Sequence, residues 1–101
     1  MEKPFQYQFE WDPTKARQNN RRHRVTFERA ATAFLDSNQL SVFDEQHSQD
    51  EERWVTLGLD RTGMLLVVCH TYREESGTSA MIRIISARKA TKNEVKQYER
   101  K

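Results

Sequence analysis

The sequence predicts an α+β domain: a mainly antiparallel, meander-like sheet, two N-terminal helices packed on it and a short C-terminal helix. Three observations carry this reading. Phe5, Tyr7, Phe9 and Trp11 alternate with polar residues, the period of a half-buried strand. Three later apolar runs are separated by short turn sequences, as consecutive antiparallel strands require. Thr91 with Glu94 three residues on is a helix-capping signature, and it follows an isoleucine-rich run directly.

Taken in order, Asp12-Pro13 ends the first strand and starts a helix over about Pro13 to His23, with Asp as cap and Pro at the first helical position. That helix is mostly polar and carries Lys15, Arg17, Arg21, Arg22 and His23. Thr26 caps a second helix, Phe27 to Leu35, whose buried face is expected to be Phe27, Ala30, Ala31, Phe34 and Leu35. Asp36-Ser37-Asn38 is a polar turn, Leu40 to Phe43 a short strand and Asp44 to Asp50 a loop. Arg53 to Leu59 and Met64 to Tyr72 flank Asp60-Arg61-Thr62-Gly63, a hairpin loop with its glycine. Met64 to Tyr72 is apolar on both faces for most of its length, so it should be central and covered twice. Glu74 to Ser79 turns the chain into the last strand, Ala80 to Ser86, and Thr91 to Arg100 forms the final helix with Val95 and Tyr98 on one side.

At 101 residues there is room for one domain, spanning residues 1–101, with one modest core. Only 36% of residues are hydrophobic and 32% are charged, a thin core that suggests a partner covers part of the surface. The net charge of +2 decides little; its distribution says more. Lys15 to Arg24 and Arg83 to Lys101 are basic and Asp44 to Glu52 is acidic, a pattern suited to an anionic partner on part of the surface. The lone Cys69 excludes an intrachain disulfide or a cysteine-based zinc site, and the spacing of His23, His47 and His70 fits no usual zinc pattern. Met1 to Phe5 lacks the apolar stretch of a signal peptide and no run is long enough to cross a membrane, so a cytoplasmic protein with no cofactor is expected.

Phosphoryl transfer without a metal needs a proton acceptor for the attacking hydroxyl, an acid for the leaving oxygen and cations for the charged transition state. Arg83 sits within the strand Met81-Ile82-Arg83-Ile84-Ile85, on the face opposite Ile82 and Ile84. It is either a cleft cation or an arginine on a solvated face, and both readings stay open. Arg88 and Lys89 stand at the expected strand-to-helix junction, where they are phosphate ligands or ordinary surface charges. Arg73 ends the central strand, aimed at the rim or paired with Glu74 or Glu75. His23 lies in Arg21-Arg22-His23-Arg24, a cationic surround that favours a neutral imidazole able to accept a proton; the alternative is a histidine satisfying helix-end carbonyls. Glu52 could act as a base or hold an arginine, and Trp54 could stack on a nucleobase; the alternative is a charged start to a strand with a core tryptophan. His70 is expected to pack within the sheet.

Phe9-Glu10-Trp11-Asp12-Pro13, then Lys15-Ala16, Asn19, His23, Val25, Phe27, Ala30, Phe34 and Asp36, in that order, resemble the opening of the BrnT toxin family. Glu52-Arg53-Trp54, Gly58, Arg73 and the block Arg83 to Ala90 continue the likeness over nearly the whole chain. The resemblance implies a RelE-like fold and a toxin of a bacterial type II toxin–antitoxin system, an endoribonuclease that cleaves RNA and inhibits translation. It implies a BrnA-type ribbon-helix-helix antitoxin, two toxins with two antitoxins, and contact with DNA only through that antitoxin. The implied working residues are His23, Glu52, Arg53, Trp54, Arg73, Arg83 and Arg88; we take His23, Glu52, Arg73, Arg83 and Arg88 as catalytic and Arg53, Trp54 and the neighbouring Lys89 as binding RNA. Arg24 stands where the family has glycine, which implies a backbone outside the left-handed region there, and the turn Glu74 to Ala80 looks longer than usual. The rival reading from another class is a partner-bound regulatory or nucleic-acid-binding module that catalyses nothing.

Overall fold

The computed structural model describes residues 5–100. Strand β1 (Gln6–Glu10) leads into helix α1 (Pro13–His23) and helix α2 (Phe27–Thr32), which tightens into a 3₁₀ turn at Ala33–Leu35. Strands β2 (Leu40–Phe43), β3 (Arg53–Leu59), β4 (Leu65–Thr71), β5 (Arg73–Ser76) and β6 (Ser79–Lys89) follow, and helix α3 (Lys92–Glu99) ends the described chain. The sequence signals for helix starts hold in detail. Asp12 caps α1 through the Thr14 N–H at 2.8 Å, and Thr91 and Glu94 form a complete capping box on α3.

The strands form one six-stranded sheet in the order β1-β6-β4-β3-β2, with β5 also paired to β6. It is mixed rather than a mainly antiparallel meander, because β1 runs parallel to β6. The meander expectation fails there because α1 and α2 carry the chain away after β1 and leave its edge for the last strand. No short-range pattern in the sequence reports a pairing such as Gln6 with Ser79. Glu74 to Ser79, read as a turn, is mostly strand: β5 and β6 meet in a tight hairpin at Gly77 and Thr78, with Ser76 opposite Ser79. The last strand runs to Lys89, so Arg88 is a strand residue and not part of a junction loop.

β4 is covered on both faces, as its sequence requires. One face packs Leu66 and Val68 with Ile82, Ile84, Ala87, Val25, Phe27 and Phe34 under the N-terminal helices. The other packs Leu65 and Val67 with Leu57 and with Val95 and Tyr98 of α3. Leu35, expected in the core, is 79% exposed, because the 3₁₀ turn rotates it out of the helical register of Phe27 and Ala30. Gly58 is a close-approach position: a Cβ there would meet the Ala33 carbonyl oxygen at 2.5 Å.

Candidate active site on the open end of the sheet

Two local devices bring the candidate residues together. The first is a bulge in β6. Cys69 pairs with Ser86 but His70 pairs with Ile84, leaving Ile85 as an extra residue. Ile82, Ile84 and Ala87 therefore all face the helix-covered core. Arg83 and Arg88, five residues apart and on opposite faces under strict alternation, instead share the other face. The second device is Asn19, buried on α1. Its amide donates to the Val25 carbonyl at 3.0 Å and the Ala87 carbonyl at 2.9 Å, and accepts from the Ala87 N–H at 3.0 Å. It thus stands in for a missing strand on the β6 edge beyond β1 and seats α1 against the bulge.

The end of this face that α3 leaves uncovered carries Arg53, Thr71 and Arg83 side by side: Arg53 is opposite Thr71, and the Arg83 N–H donates to Thr71 Oγ1. Glu51 reaches over them. Its carboxylate accepts a hydrogen bond from Arg83 and lies 3.7 Å from the Arg53 guanidinium. A cleft of about 280 Å³ is lined by Asp12, Lys15, Glu51, Arg53, Arg83, Ile84 and Ile85. Lys15 and Ile85 also line a second cleft of about 480 Å³, completed by Gln18, Asn19, Arg22, His23 and Ser86. The two clefts therefore meet at Lys15. Arg53 Nε and Trp54 Nε1 are buried with no hydrogen-bond partner among the described residues.

Of the residues singled out in the sequence, Arg53 and Arg83 come together here and His23 lies in the adjoining cleft. Glu52 is exposed, and its neighbour Glu51 takes the contacts. Arg73 sits opposite Met81 on the same face as Arg83, at the rim, largely exposed and paired with Glu75 at 3.1 Å. Arg88 lies under α3 in a bidentate pair with Glu94 at 2.8 and 2.9 Å. Arg88 holds the Glu94 carboxyl down at about 2, the Thr91 N–H helping, while burial works against them. Lys89 is exposed at the end of β6. Trp54 faces the other side of the sheet, edge-on to Phe43 and beside His70 and Tyr72. Lys15 and Glu51 also line the cleft, although the sequence reading assigned them no role there. The signal for Lys15 was available: Lys15, Gln18, Asn19, Arg22 and His23 fall on one helical stripe.

Arg24 corrects a second expectation. It closes α1 in the left-handed region, at φ 59° and ψ 33°, with its N–H donated to the Asn20 carbonyl. The helix terminus needs this conformation to turn the chain toward the buried Val25, and it is adopted without glycine's help. His70 is structural, as its sheet position suggested. Its Nδ1–H donates to the Thr71 carbonyl, its Nε2 accepts from the Thr56 hydroxyl at 2.7 Å, and burial lowers its affinity for a second proton.

The domain is thus a small α+β protein whose mixed sheet carries a carboxylate set among cations on its open end, and comparison with known proteins names the family. Residues 11–94 match the family model described as "Ribonuclease toxin, BrnT, of type II toxin-antitoxin system", and the chain belongs to that family. The structure is similar to the crystal structure of the Brucella abortus ribonuclease toxin BrnT, with a TM-score of 0.58 and 19% identity, covering 86% of this chain and 100% of that one. Among curated proteins no match was found. Membership of a type II toxin–antitoxin family implies an antitoxin partner. Among the described residues no helix is long and apolar enough to cross a membrane.

Proposed function

We propose that this chain is a metal-independent endoribonuclease of RelE type, acting in the cytoplasm to cleave RNA and inhibit translation. A BrnA-type ribbon-helix-helix antitoxin would hold it in check, two toxins to two antitoxins, with DNA met only through that partner. The observation that carries the reading is the convergence of Lys15, Arg53 and Arg83 around the Glu51 carboxylate in an open cleft. Arg83 and Lys15 bind the scissile phosphate and stabilise the phosphorane, and the Arg53 guanidinium adds positive charge to the cleft wall. Glu51 accepts the 2′-hydroxyl proton, and His23, on the far side of Lys15, protonates the leaving 5′-oxygen. Arg73 guides the strand at the rim with Glu52 and Lys89 beside the path, Arg88 holds α3 in place, and Trp54 meets flanking nucleotides on the other side of the sheet.

The test is RNA cleavage by the purified protein in excess chelator. Arg83→Ala should keep its melting temperature and lose on the order of 10² to 10³ in kcat, the size expected for one transition-state donor. Parent-like cleavage by Arg83→Ala would remove the assignment of roles. A parent that cleaves nothing and causes no growth arrest without its antitoxin would leave a binding module in its place.

A further inference from the structure

The cleft beside α1 offers more than a place for His23. Lys15, Gln18, Arg22 and His23 line it from one stripe of the helix, and Ile85 and Ser86 form its opposite wall. Lys15 and Arg22 are seven residues apart, about 10 Å along the axis, far enough to meet different phosphates of one strand. Among the described residues no carboxylate is paired with either cation, whereas Arg53, Arg73, Arg83 and Arg88 each face one. We propose that the α1–β6 groove is a separate subsite that tracks the backbone of single-stranded RNA leading away from the cleavage site, with Arg22 as its principal phosphate ligand. This rests on the ribonuclease reading and divides its labour: Arg22 supplies affinity, while Lys15 and His23 serve the chemistry with the sheet residues. An unpaired cation displaces no internal partner when phosphate arrives, so it contributes its full counterion-release term. Ile85, put forward by the bulge, gives the bases an apolar surface beside that track.

The experiment separates binding from cleavage. A 2′-O-methyl hexanucleotide, which lacks the attacking hydroxyl, is titrated by fluorescence anisotropy at several salt concentrations. Arg22→Gln should weaken binding about tenfold and reduce the slope of log K against log salt by about 0.7, as loss of one phosphate contact on a single strand does. Arg17→Gln, on the same helix but outside the groove and bonded to Thr14, is the matched charge control and should bind like the parent. With cleavable RNA, Arg22→Gln should raise KM and leave kcat within about twofold, the pattern of uniform binding. Parent-like affinity and salt slope in Arg22→Gln, or an equal loss in Arg17→Gln, would overturn the proposal, as would a parent that does not bind the oligonucleotide. A parent that binds but does not cleave would instead overturn the ribonuclease reading and leave the groove standing.

Discussion

The open sheet face and the α1 stripe are both basic, yet their cations are held in opposite ways. On the sheet, Arg83 and Arg53 close on Glu51, Arg73 on Glu75 and Arg88 on Glu94. On α1, the groove cations Lys15 and Arg22 have no acidic partner among the described residues. A paired guanidinium is fixed in direction but partly neutralised; a free one is fully charged but loosely aimed. Direction matters where charge develops over a fraction of an ångström, and charge matters where a flexible polyanion has to be gathered from solution. On the proposed reading, the paired Arg83 and Arg53 stand where charge develops and the unpaired Arg22 gathers the polyanion, with Lys15 between them.

The comparison can be broken most directly at Glu51. If its pairing with Arg83 serves chemistry, Glu51→Gln should lower kcat by about 10² to 10⁴, the range for losing a general base. Its effect on stability should stay below about 1 kcal/mol, because both partners are about two-fifths exposed. Unchanged cleavage with a fall in melting temperature would make the pair structural and dissolve the contrast. A buried pair shows what structural pairing looks like. Asp60 accepts from Arg29 Nε and Nη2 on one oxygen and from Thr62 and Met64 on the other, and its side chain has no exposed surface. Asp60→Asn should cost about 3 kcal/mol by chemical denaturation without touching kcat.

Acid titration sharpens the same distinction. Burial alone would raise the Asp60 carboxyl, but hydrogen bonds from Thr62, Arg29 and Met64 together bring it down to about 2. The unfolded chain then binds more protons than the folded one between about pH 4 and pH 2, so stability is present above that window and is lost within it, by about 2 kcal/mol for Asp60. Asp60→Asn should remove most of that slope. Glu51→Gln should leave it intact. His70 acts in a higher window: its folded form resists protonation, so stability falls as pH drops through the ordinary histidine range, and His70→Gln should flatten the curve there.

Caps, turns and central burial were legible in the sequence because each is set by residues within four positions of one another. Asp12-Pro13, the capping box at Thr91 and Glu94, and the doubly apolar Leu65 to Val68 are of this kind. The parallel β1–β6 pairing was not, since it joins residues more than seventy positions apart and rewards no local pattern. The site was half legible for the same reason. Arg83 announced itself as a charge in an isoleucine strand, but the bulge that turns Arg88 to the same face is a register event, invisible to alternation counting. That Glu51 and not Glu52 meets Arg83 was not legible either, because near the start of a strand a one-residue difference decides which side a carboxylate takes.

The smallest effect concerns Arg24, where α1 hands the chain to the core. A non-glycine residue in the left-handed region costs about 1 to 2 kcal/mol, and Arg24 holds that conformation just beyond His23. Arg24→Gly removes the strain and some repulsion from Arg21 and Arg22. Against this stand glycine's greater freedom when unfolded and the loss of a cation at the helix C-terminus. The net gain should be about 0.5 to 1 kcal/mol, a rise of a few degrees in melting temperature for a domain of this size. Because the backbone geometry around His23 is already the one glycine would take, kcat should not change, and because Arg24 lies outside the groove, neither should the salt slope of RNA binding. A fall in stability would mean that the Arg24 side chain contributes more than its backbone costs. A lost salt slope would move the collecting surface from the side of α1 to its end.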